Sequence, residues 1–380
     1  MNRKMLYRSF PARNETLSIL GFGCMRLPQT SDNPRDIDIP LATEMLRTAI
    51  DRGVNYIDTA WPYHGGESEN FLAGALADGY REKVYLATKL PSWEVNTRKD
   101  MDRLLNRQLE KLNTGHIDYY LIHALNTPRW ENLTSLGLFD FIDGALKDGR
   151  IQHIGFSFHD ELPLFKEIID AYSWEFCQIQ YNLLDTYFQA GTDGLTYAYD
   201  KGVGIIVMEP LRGGYFTRNI PPEVSALWNR NGFKREAADW ALRWVWNDPR
   251  VTVVLSGMSL PEQLEQNLKS AAEGEPESFS PEELETVVRV RDFYTQRIKV
   301  PCTSCQYCMP CPSGVDIPRS FKFYNDAHMF NNPQEQRLQY GKFLAGSEAD
   351  LCVACGECEP KCPQKIPIIE ELKKVDALLG

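Results

Sequence analysis

No apolar run in the chain approaches the roughly 18 residues that a membrane-spanning helix needs. Positive charge is also short: 41 Lys and Arg stand against 52 Asp and Glu, a net charge of −11 with pI about 5.2. That balance repels phosphate backbones and anionic lipid alike, so neither nucleic acid nor a membrane surface is an expected partner. The opening stretch MNRKMLYRSFPARNE carries early positive charge with no apolar segment behind it, so no secretory leader is expected. Cysteine is nearly absent before residue 300, where only Cys24 and Cys177 occur, and the other eight of ten fall between Cys302 and Cys362. Without an export signal, such clustering reads as metal binding in a reducing cytoplasm and not as a disulfide framework. A GxGxxG turn is missing too. The first candidate strand ends GFGCMRLP, which weighs against the open doubly wound sheet that binds dinucleotides.

What remains is a globular composition, with 43% hydrophobic and 24% charged residues and a mean hydropathy of −0.38. At 380 residues the chain exceeds what one core usually serves, so a large domain with an appendage is expected. After a short hairpin within residues 4–25, eight β-rich runs recur: SILGFGC (18–24), NYIDTA (55–60), VYLATK (84–89), DYYLIHA (118–124), IQHIGFS (151–157), FCQIQYN (176–182), GIIVMEP (204–210) and VTVVLSG (251–257). Helically spaced stretches such as LATEMLRTAIDRG (41–53) and DRLLNRQLEKLN (102–113) separate them. Eight alternating units predict the α/β class, a parallel (β/α)8 TIM barrel. A further helix from Pro281 to about Ile298 follows, and the composition then turns to Cys, Pro and Gly. The expected domains are therefore a barrel over 1–297 and a small, mostly helical domain over 298–380.

In such a barrel the chemistry gathers at the C-terminal strand ends. Those ends supply Asp58, with Tyr63 in the loop after it, Lys89 and His123. Singly, each has an ordinary structural explanation; four on three successive strand tips predict one site. A phenol is a poor acid at neutral pH, and a neighbouring ammonium lowers its pKa. The set suits proton donation to a carbonyl oxygen, with Asp58 holding Lys89 and His123 orienting the substrate.

GVNYIDTAWPYHGGESE (53–69), LATK (86–89) and DYYLIH (118–123) resemble the signature, the lysine strand and the histidine strand of the aldo-keto reductases, over about residues 5–275. Glu67 stands for the signature glutamate, one residue late. The resemblance implies that Tyr63 is the general acid in a tetrad with Lys89, Asp58 and His123, and that a small carbonyl substrate, an aldehyde or ketone, is reduced to an alcohol by NADP or NAD. It further implies cofactor contacts from Gly23, Cys24, Met25, Asp58, Ser157, Gln178 and Met208, with Phe158 in place of the family's usual Asn. Pro210, Leu211, Gly213 and Gly214 resemble the pyrophosphate loop. Gly257 and Gln263 stand where the family clamps the 2′-phosphate with Lys and Arg, and Asn267 where it contacts adenine, so weak discrimination between NADH and NADPH is expected. Ser259 and Glu262 are expected to form a capping box on a helix whose N-terminus attracts phosphate. Trp61 and Trp130 are expected to line the substrate pocket.

CTSCQYCMPCP (302–312) and CVACGECEPKCP (352–363) each open with cysteines at every third position, the second matching the Cx2Cx2Cx3CP run of bacterial ferredoxins. Two [4Fe–4S] clusters follow. In the crossed ligation such runs usually adopt, Cys302, Cys305, Cys308 and Cys362 hold one, and Cys352, Cys355, Cys358 and Cys311 the other. Under the rival wiring each run holds its own cluster, and zinc bound by two sets of four thiolates is the competing metal. The 40 residues between Cys311 and Cys352 carry helical pattern, so the module resembles the α-helical ferredoxin type. Three functions stay open: a carbonyl reductase with structural or electron-transferring clusters, an electron-transfer subunit coupling NAD(P)H to a redox protein partner, and a nucleotide-sensing regulatory subunit. The module is also a candidate surface for homo-oligomer formation.

Overall fold

The protein is described here by a computed structural model covering residues 4–11 and 14–380. A two-stranded hairpin, β1 (Tyr7–Arg8) with β2 (Leu17–Ser18), precedes eight parallel strands: β3 (Leu20–Gly23), β4 (Tyr56–Asp58), β5 (Tyr85–Leu90), β6 (Ile117–Leu125), β7 (Ile151–Phe158), β8 (Phe176–Gln180), β9 (Gly204–Met208) and β10 (Val251–Gly257). They close in the order β10-β3-β4-β5-β6-β7-β8-β9. Each of the eight runs read from the sequence is one of these strands, so the (β/α)8 expectation holds.

Between the strands lie α1 (Ile39–Asp51), α2 (Ser68–Ala75), α3 (Arg98–Leu112), α4 (Thr127–Ser135), α5 (Leu138–Lys147), α6 (Leu162–Ala171), α7 (Gly191–Asp200), α8 (Pro222–Trp228) and α9 (Ala237–Trp246), with α10 (Pro261–Ala271) after β10. Their buried stripes recur at helical spacing. In α3, Met101, Leu104, Leu105, Gln108 and Leu112 turn inward while Arg103, Arg107 and Glu110 stay in water.

The interior of the barrel is packed with side chains from several strands, including Tyr56, Ala87, Tyr119, Leu121, Phe176, Ile206 and Val253. Phe10 and Leu17 of the hairpin segment join that cluster, Phe10 stacking on Phe176 with centroids 5.6 Å apart. Gly204 makes room for it, because a Cβ there would run into the Phe10 ring. The bottom is thus stoppered, and the strand ends carrying polar groups are left at the other mouth.

The chain divides into two compact units, one of residues 1–217 and 235–281, the other of 218–234 and 282–380. The second unit contains α8, most of α11 (Pro281–Thr295), α12 (Ile317–Met329), α13 (Pro333–Phe343) and α14 (Ile368–Leu379). Its core is built on Val315, Ile317, Phe321, Tyr340, Ile366, Ile368, Leu372 and Val375, with Cys302, Cys308, Cys311, Cys352, Cys358 and Cys362 packed against it.

Candidate active site and metal centre

Parallel pairing sets Gly23 beside Asp58, Asp58 beside Ala87 and Lys89 beside Leu121, which brings the tips of β3 to β6 to one mouth. Lys89 and Asp58 form an ion pair of 2.7 Å with side-chain exposures of 0% and 3%. Lys89 Nζ also donates to the Thr59 carbonyl at 2.8 Å and to Tyr63 Oη at 3.5 Å. The Tyr63 and His123 rings meet edge to face, with centroids 6.3 Å apart. The structure therefore brings all four residues together.

Burial alone would lower the Lys89 ammonium, but Asp58 and Tyr63 outweigh it and hold the group above its ordinary value, so it stays charged. Burial pushes the Tyr63 phenol up, with Lys89 pulling the other way. The expected pull of Lys89 on this phenol is present, but desolvation is the larger effect and leaves the group above its ordinary value. Burial, followed by the charge of Lys89, holds His123 well below its ordinary value and keeps the imidazole neutral.

Tyr63 sits at the start of a tight turn in which His64, Gly65 and Gly66 have φ of 53°, 61° and 95°. His64 accepts from the Leu27 N–H at 3.1 Å and bonds the Pro34 carbonyl through Nδ1 at 2.9 Å, pinning that turn to the loop after β3. This turn displaces the signature glutamate. Glu67 merely accepts from Asn70, whereas Glu69 is fully buried and accepts from Thr88 and Gln108 through Oε1 and from Lys111 through Oε2. Gln108 in turn donates to the Lys89 carbonyl at 3.0 Å and accepts from Tyr120. A satisfied buried network thus stands behind the lysine.

His123 lies in a bulge of β6, where pairing shifts between Ile122 and Leu125 and Ala124 takes φ 52°. The bulge is held from both sides: Ser92 donates to the His123 carbonyl at 2.7 Å, and the Ala124 N–H donates to Ser157 Oγ at 2.7 Å. Trp93 faces the imidazole at 5.1 Å. Trp130, in contrast, is a core residue bonded to Glu167 and packed on Phe139, because α4 turns it away from the mouth; the expectation that it lines the pocket is corrected.

The residues implied for a cofactor fall into two groups. Gly23 and Cys24 are buried and Met25 is 54% exposed at the end of β3, while Gln178 donates to Met208 Sδ at 3.5 Å across adjacent strand ends. Pro210, Leu211, Gly213 and Gly214 form the loop after β9, with Gly213 at φ 66°. Beyond β10, Gln263 Oε1 accepts from the Ser259 N–H and Asn267 donates to Ser256, so both amides are engaged within the protein. The expected Ser259 and Glu262 capping box does not form. Pro261 takes the first helical position, which makes Leu260 the N-cap, and Ser259 donates to the Arg26 carbonyl instead. Gly257 lies against the Arg26 side chain, and Phe158 packs in the core on Phe165. At this mouth Asp58 Oδ2, His123 Nδ1 and Gln178 Oε1 are buried with no protein partner. Polar atoms of that kind fit a ring ligand that carries an amide and hydroxyls.

In the second unit, one small cavity is lined by Cys302, Cys305, Cys308 and Cys362, and another by Cys308, Cys311, Cys352, Cys355 and Cys358. The two runs fold alike. Ser304 and Ala354, Gln306 and Gly356, and Gly314 and Lys365 pairwise share left-handed backbone, and each run leads into a helix that opens with a buried isoleucine, Ile317 or Ile368. Such turns aim N–H groups inward, and the Ser304 N–H donates to Cys302 Sγ at 3.4 Å. Thiols of both runs gathered about each cavity are a donor set that fits an iron–sulfur cluster.

The model of the Aldo/keto reductase family matches residues 19–290, and that of the 4Fe-4S dicluster domain matches 301–366. Similar curated proteins include L-glyceraldehyde 3-phosphate reductase of Escherichia coli O157:H7, 26% identical over 274 residues, covering 60% of this chain and 77% of that one. NADH-specific methylglyoxal reductase of E. coli K12 is 26% identical over 296 residues, covering 67% and 89%. Among solved structures, the holo form of aldo-keto reductase AKR11C1 from Bacillus halodurans superposes with a TM-score of 0.62 at 23% identity, over 75% of this chain and 96% of that one.

Proposed function

The chain belongs to the aldo/keto reductase family of NAD(P)H-dependent oxidoreductases, and on that premise we propose that it reduces a short aldehyde or ketone to the alcohol with Tyr63 as proton donor. The observation that carries this reading is the buried Lys89, fixed by Asp58 at 2.7 Å and directed at Tyr63 Oη at 3.5 Å. When bound, the nicotinamide supplies a hydride to the carbonyl carbon. Tyr63 gives its proton to the carbonyl oxygen, and the phenolate left behind is stabilised by the Lys89 ammonium. His123, neutral, orients that oxygen. Asp58, Ser157, Gln178 and Met208 hold the nicotinamide end, and the Pro210–Gly214 loop holds the phosphates. Similarity to an L-glyceraldehyde 3-phosphate reductase and a methylglyoxal reductase supports a short substrate.

In the same reading Cys302, Cys305, Cys308 and Cys362 ligate one [4Fe–4S] cluster, and Cys352, Cys355, Cys358 and Cys311 the other. The two cavities, each lined by thiols of both runs, support this crossing. Such clusters take up or release single electrons. A second reading, electron exchange with a redox protein, is favoured by the exposed Cys305 and Cys355, which neighbour Tyr307 at 65% and Val353 at 70% exposure.

The test is Tyr63→Phe in the cluster-loaded protein. Nucleotide binding should persist while kcat for aldehydes falls by roughly 100- to 10,000-fold, the usual share of a general acid. A variant keeping more than about a tenth of wild-type kcat overturns the assignment of the proton donor.

A further inference from the structure

Arg129 lies in the first turn of α4, just beyond the bulge that carries His123. Its Nη1 donates to the Ala124 carbonyl at 2.7 Å, and its guanidinium lies 5.3 Å from the centre of the Trp93 ring. Trp93 faces His123 at 5.1 Å, and His123 meets Tyr63 at 6.3 Å. Cation, indole, imidazole and phenol form one row ending on the proton donor.

The cation is oddly placed. No carboxylate among the described residues pairs with it, although the side chain is half-buried. Asp160, the acid at that helix end, is engaged by the N–H and hydroxyl of Thr127. A positive charge in the first turn also opposes the helix dipole. A partly desolvated guanidinium without a counter-ion is costly unless something else supplies negative charge. Its bond to Ala124 fixes the plane of the fork and leaves Nε and Nη2 without a protein partner, the edge that binds carboxylate or phosphate in bidentate fashion.

We infer that Arg129 recognises an anionic group on the substrate, and that the substrate class is a short carbonyl compound bearing a carboxylate or a phosphate. This rests on the reading that carbonyl reduction occurs at Tyr63. The charged group docks on Arg129 at the rim beside Trp93 while the carbonyl reaches Tyr63 and His123.

The experiment compares matched pairs on the cluster-loaded protein: succinic semialdehyde against butanal, and glyceraldehyde 3-phosphate against glyceraldehyde. The readout is the ratio of kcat/KM for the anionic over the neutral member. Wild type should favour the anionic member of one pair at least tenfold, and that pair identifies carboxylate or phosphate. Arg129→Met should lower this ratio tenfold or more, chiefly through KM, and Arg129→Lys should restore part of it. A ratio that Arg129→Met leaves unchanged overturns the inference, whatever the absolute rates, because a merely structural role would lower both members together. Should wild type reduce no member of either pair, carbonyl reduction is the reading that fails. Calorimetric titration of succinate and of inorganic phosphate then decides for Arg129: binding weakened tenfold in Arg129→Met upholds the anion site, and equal or absent binding overturns it.

Discussion

In the barrel, Lys89 and Asp58 sit inside walls already closed by apolar packing, and Glu69, Gln108, Thr88 and Tyr120 complete the polar shell behind them. In the cysteine module, eight thiols line two cavities, and six of them form part of the shell around a small core. One site lies within a large apolar core; the other borders a small one. Depth of apolar burial separates the two regions, because a small core lacks the apolar burial that orders a large one.

The widest separation should come from removing iron. Anaerobic chelation should loosen residues 300–366 to proteolysis while the barrel keeps its protection against hydrogen exchange, since structural metal sites are worth about 10 kcal/mol or more to the domains they fold. Cys362→Ser sharpens the comparison: iron should fall from about eight per chain toward about four, with the lost signal that of the cluster bound by 302–308. An EPR spectrum in which that signal is untouched would sink the crossed ligation.

The next largest effect tests the barrel. Lys89→Met strands Asp58 as a buried charge, which should cost about 3–5 kcal/mol of unfolding free energy. It also removes the one group that lowers the Tyr63 phenol, so the basic limb of the kcat profile should move to higher pH. A normal profile with normal stability would place the ion pair outside the machinery.

The smallest effect is on pH. His123 and His64 are both held below their ordinary values by burial, so the folded barrel keeps them neutral where the unfolded chain protonates them. The unfolded state then binds more protons, and stability present above about pH 6.5 should decline as pH falls below it. Melting of wild type at pH 7.5 and 5.5 measures this. His64→Gln, which keeps an acceptor for the Leu27 N–H, should flatten the dependence.

The eight strands were legible because each is a short β-rich run bounded by a helical pattern. Asp58, Lys89 and His123 were legible because strand ends can be counted. What stayed hidden depends on loop geometry. The left-handed turn at His64 to Gly66 decides that Glu69 and not Glu67 is buried, and Pro261 decides the helix start after β10. Trp93 meets His123, and Arg129 bonds the Ala124 carbonyl, where a bulge redirects the end of β6, and no local pattern announces a bulge. The family models reach the same two parts from residue identity, over 19–290 and 301–366.

The sharing of each thiol-lined cavity between both cysteine runs has a consequence for synthesis. Cys302, Cys305 and Cys308 leave the ribosome well before Cys362, which lines the same cavity some fifty residues later. At roughly 5–20 residues per second this is an interval of about 3–10 s. During it, under the crossed ligation, the first three thiols lack the fourth. Under the crossed ligation, enclosure of the metal should wait for the second run, and translation stalled between Cys311 and Cys352 should yield a nascent chain whose barrel resists protease while the first thiols are still alkylated.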